Sequence, residues 1–61
     1  MQIIARYRAK GRDGRAHLIN EFRDEGRRRW MELLDGTRIV QTVDRTLVTA
    51  AGESLILIGP A

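Results

Sequence analysis

Ile3-Ile4-Ala5-Arg6-Tyr7-Arg8-Ala9-Lys10-Gly11-Arg12-Asp13-Gly14-Arg15-Ala16-His17-Leu18-Ile19-Asn20-Glu21-Phe22 is the stretch on which the fold turns. Its first half alternates, with Ile3, Ala5, Tyr7 and Ala9 at odd positions and Arg6, Arg8 and Lys10 at even ones. A period of two sends the two sets to opposite faces of a half-buried strand. Asp13-Gly14 then supplies a hairpin turn, because Asp and Gly tolerate the positive φ that tight hairpin turns demand. The return strand carries Ala16, Leu18, Asn20 and Phe22 on one face and Arg15, His17, Ile19 and Glu21 on the other. A two-residue loop at Asp13-Gly14 sets Ala9 against Leu18, Tyr7 against Asn20, Ala5 against Phe22 and Arg6 against Glu21. A four-residue loop from Gly11 to Gly14 shifts the partners and keeps the faces. On either loop Ala5, Tyr7, Leu18 and Phe22 are expected inward, and the basic residues outward.

Downstream, glycines divide the chain into segments of strand length, the layout of a compact antiparallel β protein. Thr37 to Val43, Thr46 to Ala50 and Glu53 to Ile58 read as strands, broken at Asp44-Arg45 and Ala51-Gly52. Leu55-Ile56-Leu57-Ile58 shows no alternation, which marks a central strand or one with a face covered by a second subunit. The segment 24–34 has two readings. As a turn and a third strand it ends at a second hairpin turn, Asp35-Gly36. As a short helix it starts at Asp24 and stripes Arg27, Met31 and Leu34 along one side. Gly26 weakens the helix, so the expected fold is all-β and mainly antiparallel: a five- to six-stranded barrel or strongly bent sheet, SH3-like in size. The alternative is a hairpin, one helix over 24–34 and a C-terminal β-meander.

With 61 residues, 1–61 form a single small domain, and such a chain has little core to spare. There is no cysteine and one histidine, so neither a disulfide nor a structural zinc site staples the fold, and no metal or cofactor is expected. Regular packing or a homodimer through the C-terminal strand would supply the missing stability. The cysteine-free composition, the short apolar run at Met1 to Ala5 and the lack of any ~20-residue apolar segment point to the cytoplasm and away from a membrane.

Enzymatic chemistry finds few residues to use. The one serine, Ser54, and the one histidine, His17, sit far apart in sequence with no third group to orient the histidine. Asp24-Glu25 reads as a solvated turn. Gly11-Arg12-Asp13-Gly14 fits the GxxG pattern that clamps nucleic-acid backbones between two helices, yet its flanks here are strands. A non-enzymatic binding or accessory module is therefore expected.

The charge is more informative. The net charge is +3, and ten of the eleven basic residues are arginine, a composition that suits nucleic acid or an acidic protein and that a GC-rich coding sequence also produces. Arg6, Arg8, Lys10, Arg12, Arg15 and His17 are expected along the outer side and tip of the first hairpin, as candidates for binding nucleic acid or another anionic surface. Tyr7 points the other way, so the ladder is expected to lack an interleaved aromatic, and Glu21 to dilute it. Arg27, Arg28, Arg29 and Trp30 form a second candidate cluster, for a protein partner, together with Ile56 and Ile58; Trp30 competes for a place in the core.

Overall fold

The computed structural model describes residues 1–61. Six strands, β1 (Gln2–Gly11), β2 (Ala16–Arg23), β3 (Arg29–Leu33), β4 (Ile39–Val43), β5 (Thr46–Thr49) and β6 (Ser54–Pro60), form one antiparallel sheet in the order β3-β2-β1-β6-β5-β4. The chain has no helix, so 24–34 is a turn and a strand, as Gly26 and Asp35-Gly36 imply. No helix is long and apolar enough to cross a membrane.

The loop joining β1 to β2 decides which side chains are inside. It is neither two nor four residues long but three, Arg12-Asp13-Gly14: the Gly11 N–H donates to the Arg15 carbonyl at 3.0 Å and the Gly14 N–H to the Gly11 carbonyl at 3.1 Å. Gly14 takes the left-handed conformation, φ +79°, that ends such a loop. The Asp13 carboxylate accepts the Arg15 N–H at 3.0 Å and braces the turn from outside. An odd loop inverts the parity that both even loops preserve. Odd residues of β1 therefore face odd residues of β2: Tyr7 pairs with Ile19, Ala9 with His17, Arg6 with Asn20 and Arg8 with Leu18.

The expected faces of β2 are thus reversed. Ile19 is fully buried, and His17 and Glu21 share its side, whereas Leu18 is 40% exposed and Phe22 lies half-buried on the outer side. Tyr7 and Ala5 remain inward and half-buried. The same three-residue loop recurs at Leu34-Asp35-Gly36 and Ala50-Ala51-Gly52, each with the paired hydrogen bonds and a left-handed final glycine. At Asp35 the carboxylate accepts the Thr37 N–H at 2.9 Å, which holds its pKa below the usual value. A lowered folded-state pKa stabilises the native state above the unfolded value, and that share is lost as pH falls through the folded one.

The fourth copy, Glu25-Gly26-Arg27, puts an arginine at the left-handed position, φ +64°. A side chain there is strained, so Arg27→Gly should stabilise the domain by about 0.5–1 kcal/mol, less whatever glycine adds to unfolded-chain entropy. In a chain of this length that raises Tm by several degrees in a thermal melt. A melt that moves down would show that the Arg27 side chain makes a contribution larger than its strain.

β6 lies between β1 and β5 and is paired on both edges. Its unbroken apolar run is that of a central strand: Leu55 and Leu57 enter the core while Ile56 and Ile58 point out, 52% and 49% exposed. Over Leu55, Ile56 and Leu57 both backbone edges are taken, so there β6 leaves a second subunit only side chains. Asp44-Arg45 makes a two-residue hairpin between β4 and β5.

Bulges between Ile3 and Ala5, between Arg8 and Ala9, and between Ile39 and Gln41 bend the sheet around its inner face. It does not close, because β3 and β4 meet at a single bridge, Glu32 to Arg38. Ala9, Ile19, Leu47 and Leu55 are the fully buried apolar residues, with Tyr7, Met31, Leu33, Ile39 and Leu57 packed against them. Thr49 is buried among them and spends its hydroxyl on the Glu53 N–H at 3.2 Å.

Candidate nucleic-acid interface

Because β1 alternates and its loop is odd, the outer face of the sheet collects a specific set of side chains. Arg6, Arg8 and Lys10 stand in one row, roughly 6.5–7 Å apart along the strand. On one side of the row β2 contributes Ala16, Leu18 and Asn20, cross-strand partners of Lys10, Arg8 and Arg6. On the other side β6 contributes Ile56, the partner of Lys10, and Gly59, the partner of Arg8. A cationic row flanked by exposed apolar side chains results.

Nothing acidic neutralises the row. Arg6, expected against Glu21, instead donates from Nε to the Asn20 amide oxygen at 3.0 Å. Glu21 is on the inner face, where its carboxylate accepts the Tyr7 hydroxyl at 2.8 Å. That hydrogen bond, with burial and the negative charge of Glu21, raises the Tyr7 pKa above its ordinary value. The ion pairs of the chain lie elsewhere, Arg15 to Asp13 at 3.4 Å and Arg38 to Glu32 at 4.0 Å.

The remaining members of the expected ladder separate from it. Arg12 is exposed at the loop tip. Arg15 stands opposite Gly11, whose N–H its carbonyl accepts, with the wrong parity for the row, and its side chain turns back onto Asp13. His17, placed outward by the even loops, is half-buried on the inner side and lines a concavity with Leu33, Asp35, Thr37 and Glu53. Ser54 borders a different concavity, beside Gly11, Arg12 and Asp13.

The second candidate cluster also divides by parity. Arg27 and Arg28 belong to the β2–β3 loop and its exit, and Arg29 stands directly opposite Arg23 at the open end of the sheet. These arginines, except Arg28, line a polar concavity of about 690 Å³ with Met1, Gln2, Asp24 and Glu25. Trp30 faces the other way, onto the outer face, as the cross-strand partner of Phe22. The two rings stack with centroids 5.6 Å apart and planes 18° from parallel. From beyond the far edge of β3 the Arg38 guanidinium sits over the indole, 5.1 Å from its centroid. The indole N–H donates to the Glu32 carboxylate at 2.7 Å, which helps hold the ring nearly parallel to that of Phe22.

The face that carries Arg6, Arg8 and Lys10 therefore does carry aromatics, on the neighbouring strands. The sequence admits this arrangement without singling it out: Asp13-Gly14 suits a three-residue loop with glycine third as well as a two-residue one, and only the three-residue loop has the parity that turns Phe22 outward. Asn20 and Arg38 carry no comparable signal, since their roles depend on cross-strand register. Set against protein-family models, characterised proteins and solved structures, the chain matches none.

Proposed function

We propose that this chain is a non-enzymatic binding module that holds the backbone of a nucleic acid on the outer face of its sheet, in the reducing cytoplasm that its lack of cysteine suits. The observation that carries this reading is the row Arg6, Arg8 and Lys10, exposed and without an acidic partner. Unpaired like charges side by side repel one another, and a polyanion relieves that repulsion while releasing its own counterions. Arginine's planar fork matches phosphate oxygens in two-point contacts, and Arg6 is already oriented by Asn20.

Binding of a fluorescently labelled oligonucleotide, followed by anisotropy, tests the proposal. Affinity should be measurable at about 50 mM salt and fall steeply with added salt, the slope of log affinity against log salt growing by ~0.7 per phosphate engaged on a single strand and ~0.9 on a duplex. Absence of binding at low salt removes the proposal.

A second reading rests on Ile56, exposed beside Lys10, and Ile58, exposed at the bulge next to it, which give β6 an apolar margin. It takes a protein partner, a second copy of the chain included, held with little salt dependence. Light scattering at two salt concentrations, with and without oligonucleotide, separates the two.

A further inference from the structure

Building on the nucleic-acid reading above, we infer that the face of Trp30 now covered by Arg38 is a stacking position for an unpaired nucleobase, which makes the ligand a single strand. Trp30 has its two faces in different company. One is fixed against Phe22 at a centroid distance of 5.6 Å, and the other is covered by a guanidinium 5.1 Å away. Arg38 is a replaceable cover: its side chain is 61% exposed, and its link to Glu32 spans 4.0 Å, the outer limit of an ion pair. The indole is held independently of Arg38, by Phe22 and by the 2.7 Å hydrogen bond to Glu32. Displacing Arg38 therefore leaves the platform standing.

A nucleobase gains more from an indole face than an exposed guanidinium does, because it brings a full π surface out of water. The displaced Arg38 then becomes free to meet a phosphate of the same strand. Position supports the assignment: Trp30, Phe22 and the row on β1 occupy three consecutive strands of one face, so the platform lies about 12 Å from Arg6, the nearest cation of the row, with Arg8 and Lys10 farther along β1. In a duplex the bases are stacked inside and their faces are unavailable to the indole. Only a single strand can use the cations and the platform together.

Trp30 is the sole tryptophan, so the intact protein reports on the site directly. Oligo-dT and a duplex of equal length are titrated at low salt, with anisotropy following binding and intrinsic fluorescence following Trp30. The inference expects quenching by oligo-dT along the anisotropy isotherm, and none of comparable size with duplex. Trp30→Ala should weaken oligo-dT binding about 10-fold with its salt slope unchanged. Trp30→Phe, which keeps a ring against Phe22, should retain part of the affinity if the alanine variant fails to fold. Oligo-dT binding with unchanged fluorescence overturns the stacking site and leaves the backbone-binding proposal standing. Equal quenching by duplex also overturns it. No binding of either ligand overturns both.

Discussion

Ile19→Ala should unfold the domain, whereas Leu18→Ala, one residue earlier on the same strand, should leave it folded. Ile19 has no exposed surface and joins Ala9, Leu47 and Leu55 at the centre of the inner face. Truncating it removes buried methylene groups and leaves a cavity that a sheet pinned on both sides cannot collapse into, at a cost of about 2–5 kcal/mol. A single small core without staples rarely provides more than ~3–5 kcal/mol in total, so this one change consumes most or all of the stability. Leu18, 40% exposed on the outer face, loses little on truncation, within about 1 kcal/mol. Far-UV circular dichroism during thermal unfolding distinguishes the two variants. An Ile19→Ala melt like that of the parent, with Leu18→Ala unfolded, would falsify the three-residue loop and the face assignment that follows from it.

That pair of residues also shows where legibility ended. The alternation of β1, the strands after Gly36 and the breaks at Asp35-Gly36, Asp44-Arg45 and Ala51-Gly52 are local features, written in consecutive residues, and the fold class follows from them. Which face of β2 is buried is different, because it depends on whether the number of residues between two strands is odd or even. Asp13-Gly14 is equally at home in two loops of opposite parity, and hydrophobicity does not arbitrate when Leu18 and Ile19 are neighbours. The arbiter is the turn's hydrogen bonding, Gly11 N–H to the Arg15 carbonyl and Gly14 N–H to the Gly11 carbonyl, with Gly14 left-handed and Asp13 not, whereas a two-residue type I′ loop would need both. The same parity governed the site. It withdrew His17 and Arg15 from the ladder, moved Glu21 onto Tyr7, and delivered Phe22 to the face of Arg6 and Arg8. The apolar run of β6 was legible as a central strand or one with a face left for a second subunit; the strand is central, and Ile56 and Ile58, the residues expected at such a face, are the ones that point out.

Reversing the cationic row, with Arg6→Glu, Arg8→Glu and Lys10→Glu combined, should abolish oligonucleotide binding without unfolding the protein. All three side chains are exposed and none takes part in an ion pair, so the fold loses the Arg6 to Asn20 hydrogen bond and little else. One repulsive row replaces another of the same spacing, and the melting temperature should move by only a few degrees. Binding responds on a different scale. Three phosphate contacts disappear, which lowers the salt slope for a single strand by about 2, at ~0.7 per contact, and three carboxylates now repel the backbone from the centre of the footprint. Each reversal removes two units of charge, taking the formal net charge from +3 to −3. Net charge alone also weakens attraction to a polyanion, so the informative comparison is a second triple variant, Arg15→Glu, Arg28→Glu and Arg45→Glu. Its three positions are equally exposed and it has the same final charge, but its residues lie off the β1 row, in or beside three different loops. Binding that survives in the second variant and vanishes in the first assigns the interface to β1. Equal loss in both would mean that the chain attracts nucleic acid only as a diffuse cation, and that the row has no special part in it.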